Sequence, residues 1–420
     1  MKKLGVIADD FTGATDIAGF LVAGNVATIQ TNGVPSADFS FQADAFVISL
    51  KSRSCPKEQA IEDSLAALRW LRERGCEQFY FKYCSTFDST EKGNIGPVTD
   101  ALMDALGTDL TIVCPALPVN GRTLYKGYLF VNDELLHESG MRSHPLTPMR
   151  DSKIERVMES QSRGEAVSIY SDIIDEGSET LSHYLEAARR QGFRYVVLDS
   201  LYQSHLEVIA RSVQDMVLVT GGSGLAAAMT SVEDGNRNQN KQAASLGRPK
   251  KGRSVIFAGS CSQATNRQVN TYISTAASMK IDVDRCVTDM DTYRQDISRW
   301  LLAHLDEEAA PLLYATKPPE ELEQMKGRYP EGIAEEAIES LFGYLATVLH
   351  DAGVKNFISA GGETSGKIVQ SLGIGAFHIG PQIDPGVPWV KAVDQDVYLA
   401  LKSGNFGTDD FFMKAQKEFL

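Results

Sequence analysis

The hydrophobic positions along the chain form short apolar runs that alternate with helical patterns. The first run covers residues 3–8, stops at Asp9-Asp10 and is followed by a helical pattern over residues 14–22. Residues 57–74 carry apolar side chains at helical spacing, namely Ile61, Leu65, Leu68 and Leu71. Runs that are apolar throughout are typical of parallel strands buried on both faces. The pattern therefore predicts an α/β fold.

The same alternation predicts the other main elements. We expect further strands at 45–50, 78–82, 109–114, 195–198, 216–219, 254–258, 356–360 and 397–401. We expect further helices at 98–106, 263–277, 330–350 and 366–372. Strands that alternate with helices predict mainly parallel sheets covered by helices.

A change of composition divides the chain. From Ser231 to Arg253 the sequence is polar, and a new buried strand follows directly. Polar segments rich in Gly, Asn and Gln are typical of connections between domains. We therefore predict two α/β domains with a cleft between them, a first domain over residues 1–235, a linker over 236–253 and a second domain over 254–420.

Net charge restricts the classes of partner. The 420 residues carry a formal net charge of -14, which repels nucleic acid on average. A small anion can still bind in a locally basic pocket. The partners predicted are therefore small molecules, with no nucleic acid and no membrane, and a homo-oligomer is compatible with the sequence.

The cysteines and the N-terminus indicate a cytoplasmic location. The six cysteines form no CxxC pair and the seven histidines show no metal-ligand spacing, so we predict free thiols and no metal site. The apolar run before Asp9-Asp10 is too short for a signal peptide. No stretch approaches the roughly 20 apolar residues that span a bilayer.

Charged residues follow the predicted strands of the first domain. Ligands of open α/β sheets bind outside the carboxyl ends of the strands. The candidates there are Asp9, Asp10, Arg53, Lys82 and Asp88. Arginine can clamp a carboxylate in a planar fork, so an acidic substrate would fit. The structural alternatives are an N-cap for one aspartate and ordinary surface charges for the two cations.

A glycine-rich turn marks the second domain. Residues Gly361 to Lys367 match the first seven positions of a P-loop, but Ile368 stands where magnesium needs Ser or Thr, so the P-loop roles are not carried over. Glycines still let backbone amides approach a phosphate at a helix N-terminus, although a tight turn without ligand is the alternative. Ser260 and the turn at Ser403 to Gly407 are further candidates for the same site.

Other polar groups are less informative. The turn Gly221 to Gly224 is equally compatible with closing a cleft and with packing. His137 and His144 are interpreted as surface or hydrogen-bonded histidines. No GxGxxG follows any strand and no GxSxG is present, so neither a dinucleotide site nor the common serine-hydrolase plan is supported.

Several motifs together resemble the four-carbon acid sugar kinase family. They are residues 8–16 (ADDFTGATD), 361–366 (GGETSG) and 401–407 (LKSGNFG). The stretches 81–90, 118–123, 139–142 and 259–262 are most similar to its 3-oxo-tetronate 4-kinase branch. The resemblance covers essentially the whole chain, although threonate and erythronate kinases share the outer motifs.

The resemblance implies an N-terminal sugar-acid-binding domain, a C-terminal nucleotide-binding domain, and transfer of the ATP γ-phosphoryl to the C4 hydroxyl with Mg²⁺. The nucleotide positions carried over are Ser260, Gly361, Gly362, Glu363, Thr364 and Gly404. Our own hypothesis is that Asp10, Asp9 or Asp88 is the catalytic base, and that the substrate is bound by Arg53, Lys82, Asn120 and Arg122. The alternatives are a threonate or erythronate 4-kinase, a non-catalytic sugar-acid sensor, and an NAD-linked dehydrogenase.

Overall fold

The computed structural model describes residues 2–36, 39, 41–143, 147–233, 243–317, 328–330 and 332–417. The chain divides into two compact units, Met1–Lys241 and Gln242–Leu420. This boundary lies within the predicted linker, of which residues 236–242 are outside the described residues, as is His144. Within the described part, no helix is both long and apolar enough to cross a membrane.

The first unit is built on a parallel sheet. Its strands in chain order, with a small separate sheet formed by β6 to β8, are β1 Leu4–Ala8, β2 Thr28–Asn32, β3 Ala45–Ser49, β4 Gln78–Lys82, β5 Thr111–Cys114, β6 Arg122–Tyr125, β7 Tyr128–Val131, β8 Glu134–Leu135, β9 Ala166–Ile169, β10 Tyr195–Leu198 and β11 Leu218–Gly221. The parallel order is β2-β3-β1-β4-β11-β5-β10-β9. Strands β1, β3 and β4 are buried along their whole length, as their uninterrupted apolar runs predict.

The helices of this unit are α1 Phe11–Ala23, α2 Lys57–Glu73, α3 Ile95–Leu106, α4 Ile154–Gln161, α5 Ser171–Asp175, α6 Ser178–Gln191, α7 Gln203–Ser212 and α8 Ser223–Glu233. Helix α8 begins in the glycine turn that follows β11. A Cβ on Gly222 would lie 2.6 Å from the Pro115 oxygen, and one on Gly224 2.6 Å from the Ala116 oxygen. These glycines therefore allow close packing of backbone against backbone.

The second unit contains a mixed sheet. Its strands are β12 Ser254–Ala258, β13 Ser278–Lys280, β14 Leu312–Tyr314, β15 Asn356–Ala360, β16 Ala376–Asp384, β17 Val387–Ala392 and β18 Tyr398–Lys402. The order is β13-β14-β12-β15-β18-β17-β16, in which β16 and β17 run antiparallel. Its helices are α9 Gln263–Tyr272, α10 Val283–Thr288, α11 Met290–His304, α12 Ile333–Asp351, α13 Gly362–Ser371 and α14 Phe411–Lys417.

The observed elements confirm the predicted α/β class and change several boundaries. Helix α13 begins at Gly362 rather than 366, because Gly361 rather than Gly366 is the N-cap. Helix α9 ends at Tyr272 rather than 277, and after five intervening residues the chain enters the short strand β13. The antiparallel hairpin of β16 and β17 was not predicted, since His378 and Gln382 interrupt the apolar pattern of its first strand.

Candidate active site

The strand order places the first group of predicted residues at one edge of the sheet. Strand β1 pairs in parallel with β3 on one side and β4 on the other, with Ala8 opposite Ser49 and Lys82. Asp9 and Asp10 therefore leave β1 beside the segment that carries Arg53 and beside the end of β4. Five residues predicted from the sequence, namely Asp9, Asp10, Arg53, Lys82 and Asp88, form one charged group.

Arg53 is the centre of this charged group. Its Nε and Nη2 donate to the two carboxylate oxygens of Asp9, each at 2.8 Å, and Nη2 also donates to Asp10 Oδ1 at 2.8 Å. Its Nη1 lies 3.8 Å from Asp88 Oδ2. The planar fork predicted to hold a substrate carboxylate is thus occupied by carboxylates of the protein itself.

The pKa values of the two neighbouring aspartates shift in opposite directions. Burial raises the pKa of Asp9, and the charge and hydrogen bonds of Arg53 offset this only in part. Burial also acts on Asp10, but the charges of Arg53 and Lys82 and the hydrogen bonds of Thr12 and Gly13 outweigh it and lower the pKa. Asp10 is also the N-cap of α1, since its Oδ1 accepts from the Gly13 amide at 3.0 Å.

Lys82 is buried beneath these aspartates. Only 3% of the residue is exposed, and its Nζ donates to the Tyr83 carbonyl at 2.8 Å. Its charge also acts on Asp16 of α1, whose pKa burial raises to about 6. Asp16 Oδ2 accepts a hydrogen bond from Ser223, whereas Oδ1 has no partner among the described residues. Lys82 therefore balances buried negative charge.

The remaining predicted residues of this unit are Asp88, which follows β4, and Asn120 and Arg122, which lie at the turn that leads into β6. Asp88 Oδ1 accepts from Thr86 Oγ1 at 2.6 Å, and Phe87 between them has a left-handed backbone with φ of 52°. Arg122 Nη1 donates to the Asn120 carbonyl, so these two residues stabilise their own turn. The contacts described for Asn120 and Arg122 do not include any of the charged group around Arg53.

The second unit contains a pocket where the glycine-rich turn was predicted to bind phosphate. The cavity has a volume of about 840 Å³, within the range of small-molecule sites. Five of the six predicted nucleotide positions line it: Ser260, Gly361, Gly362, Glu363 and Thr364. Val283, Ala315 and Ile338 supply apolar wall.

Helix α13 presents its N-terminus to this pocket without a side-chain cap. Its N-cap is Gly361, with φ of 129°, and glycine has no side chain that could accept from the first amides. By contrast, α9 is capped by Ser262, which accepts from the Thr265 amide. Uncapped first-turn amides carry partial positive charge and are suited to a phosphate. This end of the pocket is therefore suited to an anionic group such as a phosphate.

Gly404, the sixth predicted position, is not part of the lining but contacts it. A Cβ on Gly404 would collide with Ser260 Oγ, so the turn after β18 closes directly on the pocket serine. Only glycine allows this approach without moving Ser260.

Lys367 does not take the position that a P-loop lysine would occupy. It is absent from the lining, and its side chain lies along Gly343 of α12, where an added Cβ would be 3.2 Å from Lys367 Cε. Among the lining residues described, the only cation is Lys317, which follows β14. Sequence analysis missed Lys317 because β14 has only three residues.

Of the acidic residues that line the pocket, only Glu363 was predicted from the sequence. Glu335 and Glu339 of α12 line the cavity, and burial together with the charge of Glu363 raises the pKa of Glu339. The signal in the sequence was weak, because a surface helix often carries glutamates. No group of three or more metal-ligating side chains occurs in the described ranges.

Comparison with protein families agrees with this division of the chain. Residues 4–229 match the family model described as a sugar-binding N-terminal domain, and residues 255–412 match the one described as a nucleotide-binding C-terminal domain. The fold, the pocket and these matches define a protein with one sugar-binding and one nucleotide-binding domain.

Curated relatives are similar over their full length. The chain is 57% identical to a Brucella melitensis protein over 99% of this chain and 95% of that one. It is 54% identical to a Pectobacterium atrosepticum protein over 100% of both. Both relatives are named 3-oxo-tetronate kinase. The chain belongs to this family of four-carbon acid sugar kinases, and the resemblance inferred from its motifs is confirmed.

Solved structures of relatives share the fold. One from Salmonella typhimurium has a TM-score of 0.93 and 51% identity, and covers 100% of both chains. One from Haemophilus influenzae has a TM-score of 0.85 and 51% identity, and covers 99% of this chain and 100% of that one. The Salmonella protein is described as a candidate tRNA synthase, whereas a curated relative from the same species at 52% identity, over 100% of both chains, is named 3-oxo-tetronate kinase.

Proposed function

We propose that this kinase transfers the γ-phosphoryl group of ATP to the C4 hydroxyl of 3-oxo-tetronate and yields the 4-phosphate. The observation that carries the proposal is the uncapped N-terminus of α13 in a cavity of about 840 Å³, within the unit that matches a nucleotide-binding domain. The name shared by the full-length relatives supports the choice of acceptor.

The second unit would position the nucleotide. Backbone amides at Gly362 to Thr364 would hold phosphate oxygens, and Lys317 would offset part of their charge. Mg²⁺ would neutralise charge on the β- and γ-phosphates, as in other phosphoryl transfers. The pocket carboxylates Glu339 and Glu363 are the hard oxygen donors that this ion prefers.

The first unit would bind the sugar acid. Arg53 is paired with Asp9 and Asp10, so we propose that it orients these carboxylates rather than gripping the substrate alone. Lys82 would act through charge, because it is buried. Asn120 and Arg122 are the proposed contacts for the substrate carboxylate. Arg122 Nε is buried without a hydrogen-bond partner in the described part of the chain, and a carboxylate is an acceptor that would satisfy it.

Among the three candidate bases, the geometry ranks Asp9 last. Both of its oxygens accept from Arg53 and its side chain is 5% exposed. Asp10 has a side chain that is 26% exposed, and Asp88, which is 9% exposed, has an oxygen 3.8 Å from Arg53 Nη1 rather than at hydrogen-bond distance. We therefore propose Asp10 or Asp88 as the acceptor of the C4 hydroxyl proton, a role that requires hydrogen-bond reach of the substrate.

The test is a coupled assay of ADP release with ATP and Mg²⁺ over the 3-oxo-tetronates, threonate and erythronate. We expect the highest kcat/KM for a 3-oxo-tetronate. Asp→Asn at the true base should lower kcat by about two to four decades while nucleotide still binds. Asp151→Asn, a partly exposed aspartate of the same unit, is the control and should retain activity.

Four results would contradict the proposal. A preference for threonate or erythronate would reassign the acceptor within the family. Normal turnover in all three variants, Asp9→Asn, Asp10→Asn and Asp88→Asn, would remove the proposed base. Absence of ADP release with every acid would favour a sensor, and a change in nicotinamide absorbance with NAD would favour a dehydrogenase.

A further inference from the structure

A buried lysine without a carboxylate partner lies behind the nucleotide pocket. Lys402 is the last residue of β18 and only 1% of it is exposed. Its Nζ donates to Thr265 Oγ1 at 3.1 Å, to the Ser403 carbonyl at 2.9 Å and to the Gly404 carbonyl at 3.0 Å. No ion pair of Lys402 occurs within the described residues. A buried ammonium is costly unless it is paired, so three neutral acceptors are an unusual environment.

These acceptors belong to the segments that form the pocket. The Gly404 carbonyl also accepts from Ser262 Oγ at 2.6 Å and from Thr265 Oγ1 at 2.8 Å, which ties the turn after β18 to the start of α9. Gly404 in turn packs on Ser260 Oγ. The Gly404 carbonyl, which lies next to Ser260, therefore accepts hydrogen bonds from the Lys402 ammonium and from two hydroxyls.

The backbone of the same lysine supports the glycine-rich turn. Its carbonyl accepts from the Gly361 amide at 2.9 Å, and Lys402 pairs with Ala360 across the parallel strands β15 and β18. The Ala360 carbonyl in turn accepts from the Ser260 amide at 3.1 Å. Lys402 thus joins the turns that follow β15 and β18, and the Ala360 carbonyl joins the turn after β12 to them. Each of these turns carries a proposed nucleotide position.

We propose that Lys402 is a positioning residue of the nucleotide pocket, whose buried ammonium fixes the Ser403–Gly404 turn against Ser260. This inference rests on the proposed nucleotide site. It adds a residue that does not line the cavity, and that acts through the turn rather than on the phosphates.

The energetics of burial support a role beyond packing. Burial lowers the pKa of Lys402 to about 7, which means that the fold disfavours its charge. An apolar side chain such as methionine would fill similar space without that cost. The charged donor contributes orientation of two backbone carbonyls, which methionine cannot do.

The experiment compares Lys402→Met with wild type in two direct measurements. The first is calorimetric binding of ADP with Mg²⁺ in the absence of sugar acid. The second is hydrogen exchange of the peptide that covers residues 403–407. Loss of a charged hydrogen-bond donor should weaken ADP binding about tenfold and speed exchange of this peptide at least as much. KM for ATP should rise while kcat and KM for the acid change little.

The matched control is Lys391→Met. Lys391 also projects from a strand of this sheet and donates to a backbone carbonyl, that of Ala392 at 3.5 Å, but this carbonyl belongs neither to the Ser403–Gly404 turn nor to the pocket lining. We expect wild-type binding of ADP. A second test variant, Thr265→Val, removes the hydroxyl that accepts from Lys402 and donates to Gly404, and should weaken ADP binding in the same direction if Lys402→Met does not fold.

Two outcomes overturn the inference. Unchanged ADP affinity with unchanged exchange of residues 403–407 in both test variants would show that Lys402 does not fix the turn. Equal loss of kcat, acid affinity and nucleotide affinity would show a general structural role. Failure of wild type to bind ADP would instead refute the nucleotide site itself, and the exchange measurement alone would then decide whether Lys402 holds the turn.

Discussion

Removal of Arg53 tests how the charged group of the first unit is stabilised. In Arg53→Met the buried Asp9 loses two hydrogen bonds of 2.8 Å and Asp10 loses one of 2.8 Å. Because Asp9 is 5% exposed, water cannot easily replace the guanidinium. The carboxylate must then bind a proton or remain buried and unpaired.

The expected cost follows from this burial. Breaking a buried ion pair by removing one partner costs about 3–5 kcal/mol, and exposed pairs contribute about 1 kcal/mol or less. The side chain of Arg53 is 24% exposed, so we expect a loss of about 2–4 kcal/mol at pH 7. Without Arg53 the pKa of Asp9 rises further. Below that pKa the buried Asp9 is protonated and uncharged. As pH rises through the pKa the carboxyl loses its proton and the variant loses stability. The difference in stability between Arg53→Met and wild type should therefore be smaller at pH 5 than at pH 7.

The assay needs to report on one unit at a time, and buried thiols allow this. Cys114 lies in the first unit and Cys286 in the second, and both are buried. The fraction of each thiol that is alkylated in increasing urea, measured by mass spectrometry, gives the urea midpoint of unfolding for each unit. We expect Arg53→Met to lower the unfolding midpoint reported by Cys114 and to leave the one reported by Cys286 unchanged. The double variant Arg53→Met, Asp9→Asn should recover most of the lost stability.

The control has the same fork geometry on the surface. Arg156 Nε and Nη2 donate to the two oxygens of Asp151 at 2.7 and 2.6 Å, but the side chains are 57% and 37% exposed. Arg156→Met should therefore cost about 1 kcal/mol or less. Equal effects of Arg53→Met and Arg156→Met, or no recovery in the double variant, would refute the argument that burial sets the strength of the Arg53 pair.

Three further predictions concern other residues. Gly361→Ala should weaken ADP binding about tenfold, because φ is 129° and the new Cβ would lie 3.1 Å from the Ser260 amide. Gly353→Ala, with φ of 89° and open space, should cost stability alone. Asp16→Asn should gain about 2 kcal/mol relative to wild type between pH 4 and pH 7 in urea unfolding, since the raised pKa of about 6 makes wild type lose stability as pH rises through it, and a pH-independent difference would contradict this. Cys261 lines the pocket, so ATP should slow its alkylation and leave that of Cys55 unchanged, and equal rates would place ATP elsewhere.

The positions of the predicted site residues followed from the sequence because they depend on few physical rules. Apolar runs that end in charged residues predict strand ends, and parallel strands bring those ends to one edge. Asp9, Arg53 and Lys82 could be grouped in this way. The glycines after β15 predicted an approach of backbone to phosphate for a similar reason.

The contacts that these residues make could not be predicted. Arg53 and Asp9 are 44 positions apart, and their pairing depends on the strand order β3-β1-β4, which local patterns do not specify. The direction of Lys402 inward, toward Thr265, depends on how α9 packs near β18. Lys317 follows a strand of three residues, which is too short for a periodic signal.

The central claim is that this chain forms a phosphate ester on the C4 oxygen of a four-carbon acid. The most direct measurement is phosphorus NMR of the reaction of ATP, Mg²⁺ and 3-oxo-tetronate, with proton coupling to locate the ester. We expect one new monoester signal coupled to the C4 protons, formed in equal amount to ADP. Inorganic phosphate as the only phosphorus product besides ADP, or a phosphate coupled to another carbon, would contradict it.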